Sequence, residues 1–169
     1  MLKSFVIGGL AAMSLALTVQ AEERIQFPAG YEDKMLNYLS LDRTQNDDQV
    51  IRLFATKETL AAAQAGKELP YGTVLVAELY KAKKDADGEV IESALGRRIR
   101  GKFAAVAVMQ KGEGWGEKFS PEFRNGDWDF AIFSPKGERL VKKDLNDCRA
   151  CHQPFAETQH LFSLEHMVN

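Results

Sequence analysis

The two cysteines of the chain lie three residues apart, and a histidine follows the second one directly. Cys148, Cys151 and His152 stand together in the stretch NDCRACHQPF. Cys-x-x-Cys-His is the attachment signature of a c-type haem, whose two vinyl groups are joined to the two thiols. The spacing places both sulfurs at one edge of the porphyrin, and the next residue supplies the proximal ligand of the iron. The pattern predicts one covalently attached haem c per chain, with His152 as the metal ligand.

The cysteine pair is open to three other interpretations. In an oxidising compartment the two thiols could form a structural disulfide. A thioredoxin-type dithiol is a second alternative, but that motif normally follows a strand early in a βαβ unit. A zinc site would need four ligands, and His160 and His166 could complete such a set only at an unusual spacing. Haem attachment is the interpretation that also explains the histidine directly after the second cysteine.

The first residues of the chain have the pattern of a secretory signal. Lys3 precedes an apolar run over 5–19, and the small residues Val19 and Ala21 flank Gln20. This order is typical of a signal peptide, so we predict a signal peptide over 1–21 with cleavage after Ala21 and export to the periplasm. The run is too short to span a bilayer well, which predicts no membrane anchor after cleavage.

Length and charge point to one ordinary globular domain over residues 22–169. The chain has 169 residues and a formal net charge of −2. That length suits a single domain with its own core. No block of basic residues is present, and this argues against nucleic acid as a partner.

The function of a haem protein depends on the second axial position of the iron. Simple electron carriers have a strong sixth ligand there, usually methionine or histidine. The candidates are Met35, Met109, Met167, His160 and His166. The two histidines follow the attachment site closely, and Met109 lies in an apolar run typical of core packing. The sequence therefore favours an open distal site that binds or converts a small molecule.

The pattern of apolar residues predicts mostly strands. We expect a helical piece over 31–41 and a short strand over 50–54. Thr56 is a typical cap for a helix over 57–65, which Gly66 would end. Three further strands are predicted, over residues 73–81, 102–110 and 127–134. A short helix carries the haem motif, and a last helix is expected from about Thr158.

The order of several motifs resembles the cytochrome P-460 and cytochrome c'-beta family. Arg52 lies in VIRLFAT, and the stretches GKELPYGTVLVAELYKA and FAAVAVMQK follow it. A turn with a tryptophan, a W-x-F strand at Trp128–Phe130 and the Cys-x-x-Cys-His motif come next. The resemblance covers essentially the whole mature chain. It implies an α+β fold, mainly antiparallel sheet with flanking helices and the haem near the C-terminus. It also implies a homodimer and an iron that is five-coordinate through His152.

Two activities divide that family, and a lysine separates them. P-460 proteins oxidise hydroxylamine and carry a covalent bond from a lysine nitrogen to the haem. The c'-beta proteins lack this bond, have an apolar distal pocket often capped by phenylalanine, and bind nitric oxide. The resemblance implies that the lysine lies in or near the strand after the Pro-x-Gly-Thr turn, where Lys81 is the lysine present. Strand alternation puts Leu75, Ala77, Leu79 and Lys81 on one face.

Four further residues are candidates for the distal side. Arg52 could pair with a haem propionate or donate to a bound ligand, or it could form a surface ion pair. Glu78 could accept protons released by hydroxylamine, or it could be a surface carboxylate. Phe54 and Phe103 could cap the pocket, although phenylalanines in strands usually pack in the core.

These observations leave three hypotheses. The first is nitric oxide binding of the c'-beta type, without a cross-link. The second is hydroxylamine oxidation of the P-460 type, in which Lys81, Glu78 and Arg52 would take part and a periplasmic electron-transfer protein would receive the electrons. The third is a six-coordinate electron carrier with Met109 or Met35 as the sixth ligand.

Overall fold

A five-stranded antiparallel sheet forms the centre of the structure. The computed structural model describes residues 23–168, and the predicted signal peptide lies outside them. The strands are hydrogen-bonded in the order in which they follow along the chain. Their bounds are β1 Leu36–Asp42, β2 Gln49–Ala55, β3 Val74–Ala82, β4 Arg100–Lys111 and β5 Trp128–Phe133. With the helices described next, this arrangement confirms the predicted α+β class.

Short helices flank the sheet. They are α1 Tyr31–Lys34, α2 Lys57–Gln64 and α3 Asn146–His152. The Thr56 side chain accepts a hydrogen bond of 3.2 Å from the Thr59 backbone N–H, as predicted for the cap of α2. The haem motif lies on α3, which confirms the predicted short helix. No helix within residues 23–168 has the length and apolar character that crossing a membrane requires.

Two predicted helices differ from the structure. The helical prediction for 31–41 was wrong beyond Lys34, because the chain continues as strand β1. In β1, Leu39 and Leu41 lie opposite Leu53 and Ile51 of β2, so pairing with β2 determines the conformation. The last helix expected from Thr158 was also wrong, since only short 3-10 turns form at Ala156–Thr158 and Leu164–His166.

The sheet packs on both faces. One face, with Val76 and Val108, is covered by the N-terminal segment that carries Ile25 and Tyr31. In a second buried cluster, Leu75 of β3 packs with residues from the segments around α2 and near the C-terminus. Its members are Ala55, Ala63, Leu69, Leu75, Trp128, Leu161 and Met167. Between this second side of the sheet and α3 the chain leaves a cavity.

Candidate functional site

The haem motif opens into a cavity of about 500 Å³ between α3 and the sheet. Every strand of the sheet contributes apolar side chains to one wall. They are Leu39, Leu41, Ile51, Leu53, Leu75, Ala77, Leu79, Ala107, Met109, Phe130 and Ile132. Cys148, Cys151 and His152 line the cavity from α3, together with Leu161 and Phe162 of the C-terminal segment. The cysteines and the histidine therefore face a broad apolar surface, which suits a flat apolar ligand.

Polar groups line the cavity at the β1–β2 turn and near the C-terminus. Arg43 at the turn donates from Nη1 to Oε1 of Gln49 at 2.7 Å. Tyr38 of β1 lies next to Ser163 of the C-terminal segment, and the Tyr38 hydroxyl oxygen and Ser163 Oγ are 2.8 Å apart. Burial raises the pKa of Tyr38 to about 12, so the phenol stays protonated at neutral pH. His166 lines the cavity as well.

His152 is held in the form that a metal requires. Its Nδ1 is 2.7 Å from the carbonyl oxygen of His160. A carbonyl can only accept, so Nδ1–H donates and Nε2 keeps its lone pair for a metal. The rings of Phe130 and Phe162 flank the imidazole, with centroid distances of 5.0 and 4.7 Å. Burial lowers the pKa of His152, which favours the neutral imidazole that binds iron.

The two cysteines are free thiols on the same helix. Cys148 is half-buried, Cys151 is exposed, and no disulfide joins them. Burial raises the pKa of the Cys148 thiol. The dithiol interpretation lacks its βαβ context, because the five described strands are all antiparallel. Both thiols remain available for bonds to a ligand in the cavity.

The structure does not bring the two cysteines, His160 and His166 together as ligands of a zinc ion. His160 Nδ1 lies 3.1 Å from the Gln153 carbonyl oxygen, and His166 Nε2 lies 3.8 Å from the Glu165 carboxylate. In the described part of the chain, no three or more His, Cys, Asp or Glu side chains come together as a metal site. Within the described residues, His160 and His166 therefore do not form a zinc site with the two cysteines.

Arg149, between the two cysteines, fastens α3 to the sheet. Its Nη2 donates to Asp129 Oδ1 of β5 at 2.7 Å, and its Nη1 donates to Asn146 Oδ1 at 2.9 Å. The guanidinium lies over the Phe119 ring, 4.3 Å from its centroid. Asn125, which is fully buried, donates from Nδ2 to the Arg149 carbonyl oxygen at 3.1 Å. Sequence reasoning missed these residues, although a charged residue at Asp129 inside an apolar strand was a signal for a buried partner.

Two of the predicted distal residues, Arg52 and Glu78, lie on the other face of the sheet. They are direct neighbours across β2 and β3, and Arg52 Nη1 donates to Glu78 Oε2 at 2.9 Å. Glu78 is buried, and its two carboxylate oxygens also accept from Tyr31 Oη at 2.9 Å and from Tyr80 Oη at 3.1 Å. Burial raises the pKa of Tyr31 and of Tyr80, with the Glu78 carboxylate adding to both shifts. Neither Arg52 nor Glu78 lines the cavity.

The two candidate capping phenylalanines are also elsewhere. Phe54 is 3% exposed and packs edge-on against Tyr31 in the cluster on the face away from the cavity. Phe103 stacks on Tyr80, with ring centroids 4.8 Å apart. Neither residue is part of the cavity wall. The structure therefore does not bring Phe54 or Phe103 together with the haem motif.

Lys81 lies next to the last residue of strand β3, outside the cavity. Its Nζ donates to Asp48 Oδ2 at 2.9 Å, and its side chain is 49% exposed. Lys81, with a smaller contribution from Lys84, lowers the pKa of Asp48. The positions of β3 that do face the cavity carry Leu75, Ala77 and Leu79.

The candidates for a sixth ligand of the iron lie in different parts of the structure. Met109 lines the cavity from the sheet, and His166 lines it from the C-terminal segment. Met35 packs against the cluster on the other face of the sheet. Met167 is 1% exposed within the second cluster. Among the methionines of the described chain, Met109 is the one on the cavity wall.

A family model described as Cytochrome P460 matches residues 28–163. The matched range contains all five strands, the cavity wall and the Cys-x-x-Cys-His motif. No curated protein matches the chain. The chain belongs to the cytochrome P460 family, and the family implies a haem cofactor with its iron.

Proposed function

We propose that the chain is a periplasmic c-type cytochrome with one covalently attached haem and an open distal site that binds nitric oxide. Cys148 and Cys151 would form the thioether bonds with the haem vinyl groups, and His152 Nε2 would hold the iron. The residues fit this group: two free thiols and an imidazole with a free nitrogen line one apolar cavity. The bound haem supplies an iron that takes up small ligands.

The observation that carries the proposal is the apolar sheet wall of the cavity. It has no charged side chain, and β3 presents Leu75, Ala77 and Leu79 to it. Nitric oxide is small and neutral, so it enters an apolar site without the desolvation cost that a charged ligand meets. The polar lining residues Arg43 and Tyr38 lie at the β1–β2 turn and beside Ser163 rather than among these apolar side chains.

Hydroxylamine oxidation of the P-460 type is the alternative, and it has less support. A cross-link would need a lysine nitrogen at the edge of the haem, but Lys81 is paired with Asp48 outside the cavity wall. A proton acceptor must lie within hydrogen-bond reach of the substrate. Glu78 is instead engaged with Arg52 and two tyrosines on the opposite face.

A six-coordinate electron carrier is the second alternative, because Met109 lines the cavity. Met109 also packs against the second buried cluster, which gives its side chain a structural role. We propose that this packing holds the thioether away from the iron. The Met109→Leu variant keeps the volume of the side chain and removes the sulfur, so it separates the two roles.

The remaining parts of the proposal concern the setting of the protein. Export to the periplasm rests on the signal-peptide pattern of the sequence. The homodimer rests on the family resemblance, and a periplasmic electron-transfer protein would restore the ferrous state. Light scattering of the mature protein tests the dimer, and N-terminal sequencing tests cleavage after Ala21.

Two assays on the haem-loaded protein test the function. Nitric oxide titration of the ferrous form is expected to give stoichiometric binding, unchanged in Met109→Leu. Hydroxylamine turnover with a soluble electron acceptor is expected to be absent. Turnover that is lost in Lys81→Arg would replace the proposal with the P-460 activity. A ferrous form that binds nitric oxide only after Met109→Leu would favour the electron carrier.

A further inference from the structure

Two successive residues near the haem motif have a left-handed backbone. Gln159 has φ of 54° and His160 has φ of 60°, and among residues 23–168 they are the non-glycine residues with positive φ. This conformation is unfavourable for L-residues with a side chain, and glutamine is not among the residues that tolerate it well. Such a backbone persists only where surrounding contacts enforce it, and it concentrates at functional sites.

The left-handed turn aims one carbonyl at the proximal histidine. The His160 carbonyl oxygen accepts from His152 Nδ1 at 2.7 Å. The His160 backbone N–H donates to the Phe155 carbonyl at 2.6 Å. The His160 ring lies against the end of α3, with Nδ1 3.1 Å from the Gln153 carbonyl and 3.3 Å from that of His152. His160 therefore contacts the proximal histidine through its backbone and the end of the haem-binding helix through its side chain.

The side chain of Gln159 ties this turn to a distant part of the chain. Its Oε1 accepts from the Leu69 backbone N–H at 2.8 Å, and its Nε2 is 3.3 Å from the Lys67 carbonyl oxygen. Leu69 is 1% exposed and belongs to the second buried cluster. The amide thus connects the turn to the segment between α2 and β3 at Leu69, whose buried side chain fixes the position of that contact.

We propose that Gln159 and His160 are positioning residues that set the orientation and basicity of the proximal histidine. A hydrogen bond from Nδ1–H to a fixed carbonyl increases electron donation from the imidazole to its metal. The left-handed turn fixes that carbonyl, and the Gln159 amide fixes the turn. This inference rests on the proposed ligation of iron by His152, and it assigns a role to residues that do not line the cavity.

Paired substitutions at His160 test the backbone conformation separately from the imidazole. His160→Asn and His160→Val both remove the ring, but asparagine tolerates positive φ whereas a β-branched residue does not. The readout is the iron–histidine stretching band in the resonance Raman spectrum of the ferrous, haem-loaded protein. We expect the band of His160→Asn to stay close to wild type. We expect the band of His160→Val to shift to lower frequency, with a higher reduction potential of the haem.

Gln159→Leu provides a second test that leaves His160 intact. It removes both amide hydrogen bonds at similar volume, and the same downward shift of the band is expected. Gln64→Leu is the matched control, since Gln64 is an exposed glutamine in the last turn of α2. Equal bands in His160→Asn and His160→Val, or a wild-type band in Gln159→Leu, would overturn the inference. Absence of an iron–histidine band from the wild-type protein would instead overturn the proposed ligation by His152.

Discussion

The ion pair between Arg149 and Asp129 is expected to hold the haem-binding helix against the sheet. The two side chains are only 12% and 14% exposed, and their charged atoms are 2.7 Å apart. Arg149→Met keeps most of the side-chain stem but leaves the Asp129 carboxylate without its cation. Removal of one partner from a buried pair costs about 3–5 kcal/mol.

The lower end of that range applies here. Both side chains keep some contact with solvent, and Asp129 Oδ1 still accepts from the Phe130 backbone N–H at 2.8 Å. We therefore expect Arg149→Met to reduce the free energy of unfolding by about 3 kcal/mol. For a domain of this size, that loss lowers the melting temperature by roughly 6–12 °C.

Denaturant unfolding of the haem-loaded protein measures this change, with the ratio of haem to protein absorbance as a check on loading. Arg124→Met is the control, because Arg124 is exposed and donates only to the Phe119 carbonyl. A double-mutant cycle with Asp129→Asn should give a coupling energy of at least about 1 kcal/mol. If Arg149→Met unfolds like Arg124→Met, or if the two changes are additive, the pair does not anchor the helix.

Three further predictions concern residues around the sheet. Lys81→Arg is expected to leave the ferrous absorption spectrum unchanged, because the lysine pairs with Asp48 outside the cavity wall; a blue shift of the Soret band would show that it modifies the haem. Glu78→Gln is expected to lower the free energy of unfolding by about 1–3 kcal/mol, because the contacts of the side chain with Arg52 and the tyrosines become weaker. The affinity for nitric oxide should stay the same. A reduced affinity would place Glu78 in the ligand site. The free energy of unfolding should fall as pH rises from the normal tyrosine pKa of 10.0 to about 12, because the folded protein keeps the Tyr38 proton to a higher pH than the unfolded chain does. The urea midpoint of Tyr38→Phe should fall less over this pH range. Identical pH dependence of the midpoints in wild type and variant would contradict the buried phenol.

The sequence allowed prediction of those parts of the fold that depend on local pattern. The predicted strands over 73–81, 102–110 and 127–134 correspond to β3, β4 and β5 within two residues at each end. Helix α2 followed from its threonine cap. The stretch from Leu36 was wrongly predicted as helix, since its conformation depends on pairing with β2 rather than on its own residues.

The sequence located the Cys-x-x-Cys-His motif of the candidate site, but it did not predict the opposite wall. Haem attachment through the Cys-x-x-Cys-His motif stays a prediction from its residue types and spacing. Alternation along β3 correctly separated Ala77 from Glu78, but it does not say which face meets the cavity. Glu78 and Arg52 were therefore predicted as distal residues, although they lie on the face of the sheet away from the cavity.

The supporting contacts of α3 were beyond sequence reasoning because their partners are distant along the chain. Arg149 reaches a carboxylate 20 residues away, and Gln159 reaches a backbone N–H 90 residues away. Such pairs depend on how the elements pack, and no local pattern predicts them. The left-handed residues Gln159 and His160 likewise follow from tertiary contacts.

The absorption spectrum of the mature, haem-loaded protein, ferric and then dithionite-reduced, distinguishes an open distal site from a modified or six-coordinate haem. Attachment through Cys148 and Cys151 with an open distal site predicts an ordinary five-coordinate, high-spin ferrous c-haem band. A strongly red-shifted and broadened ferrous Soret band would reveal a haem modified by lysine. A low-spin, six-coordinate spectrum would show that the distal position is already filled, and either result would overturn the proposed binding of nitric oxide at an open, unmodified haem.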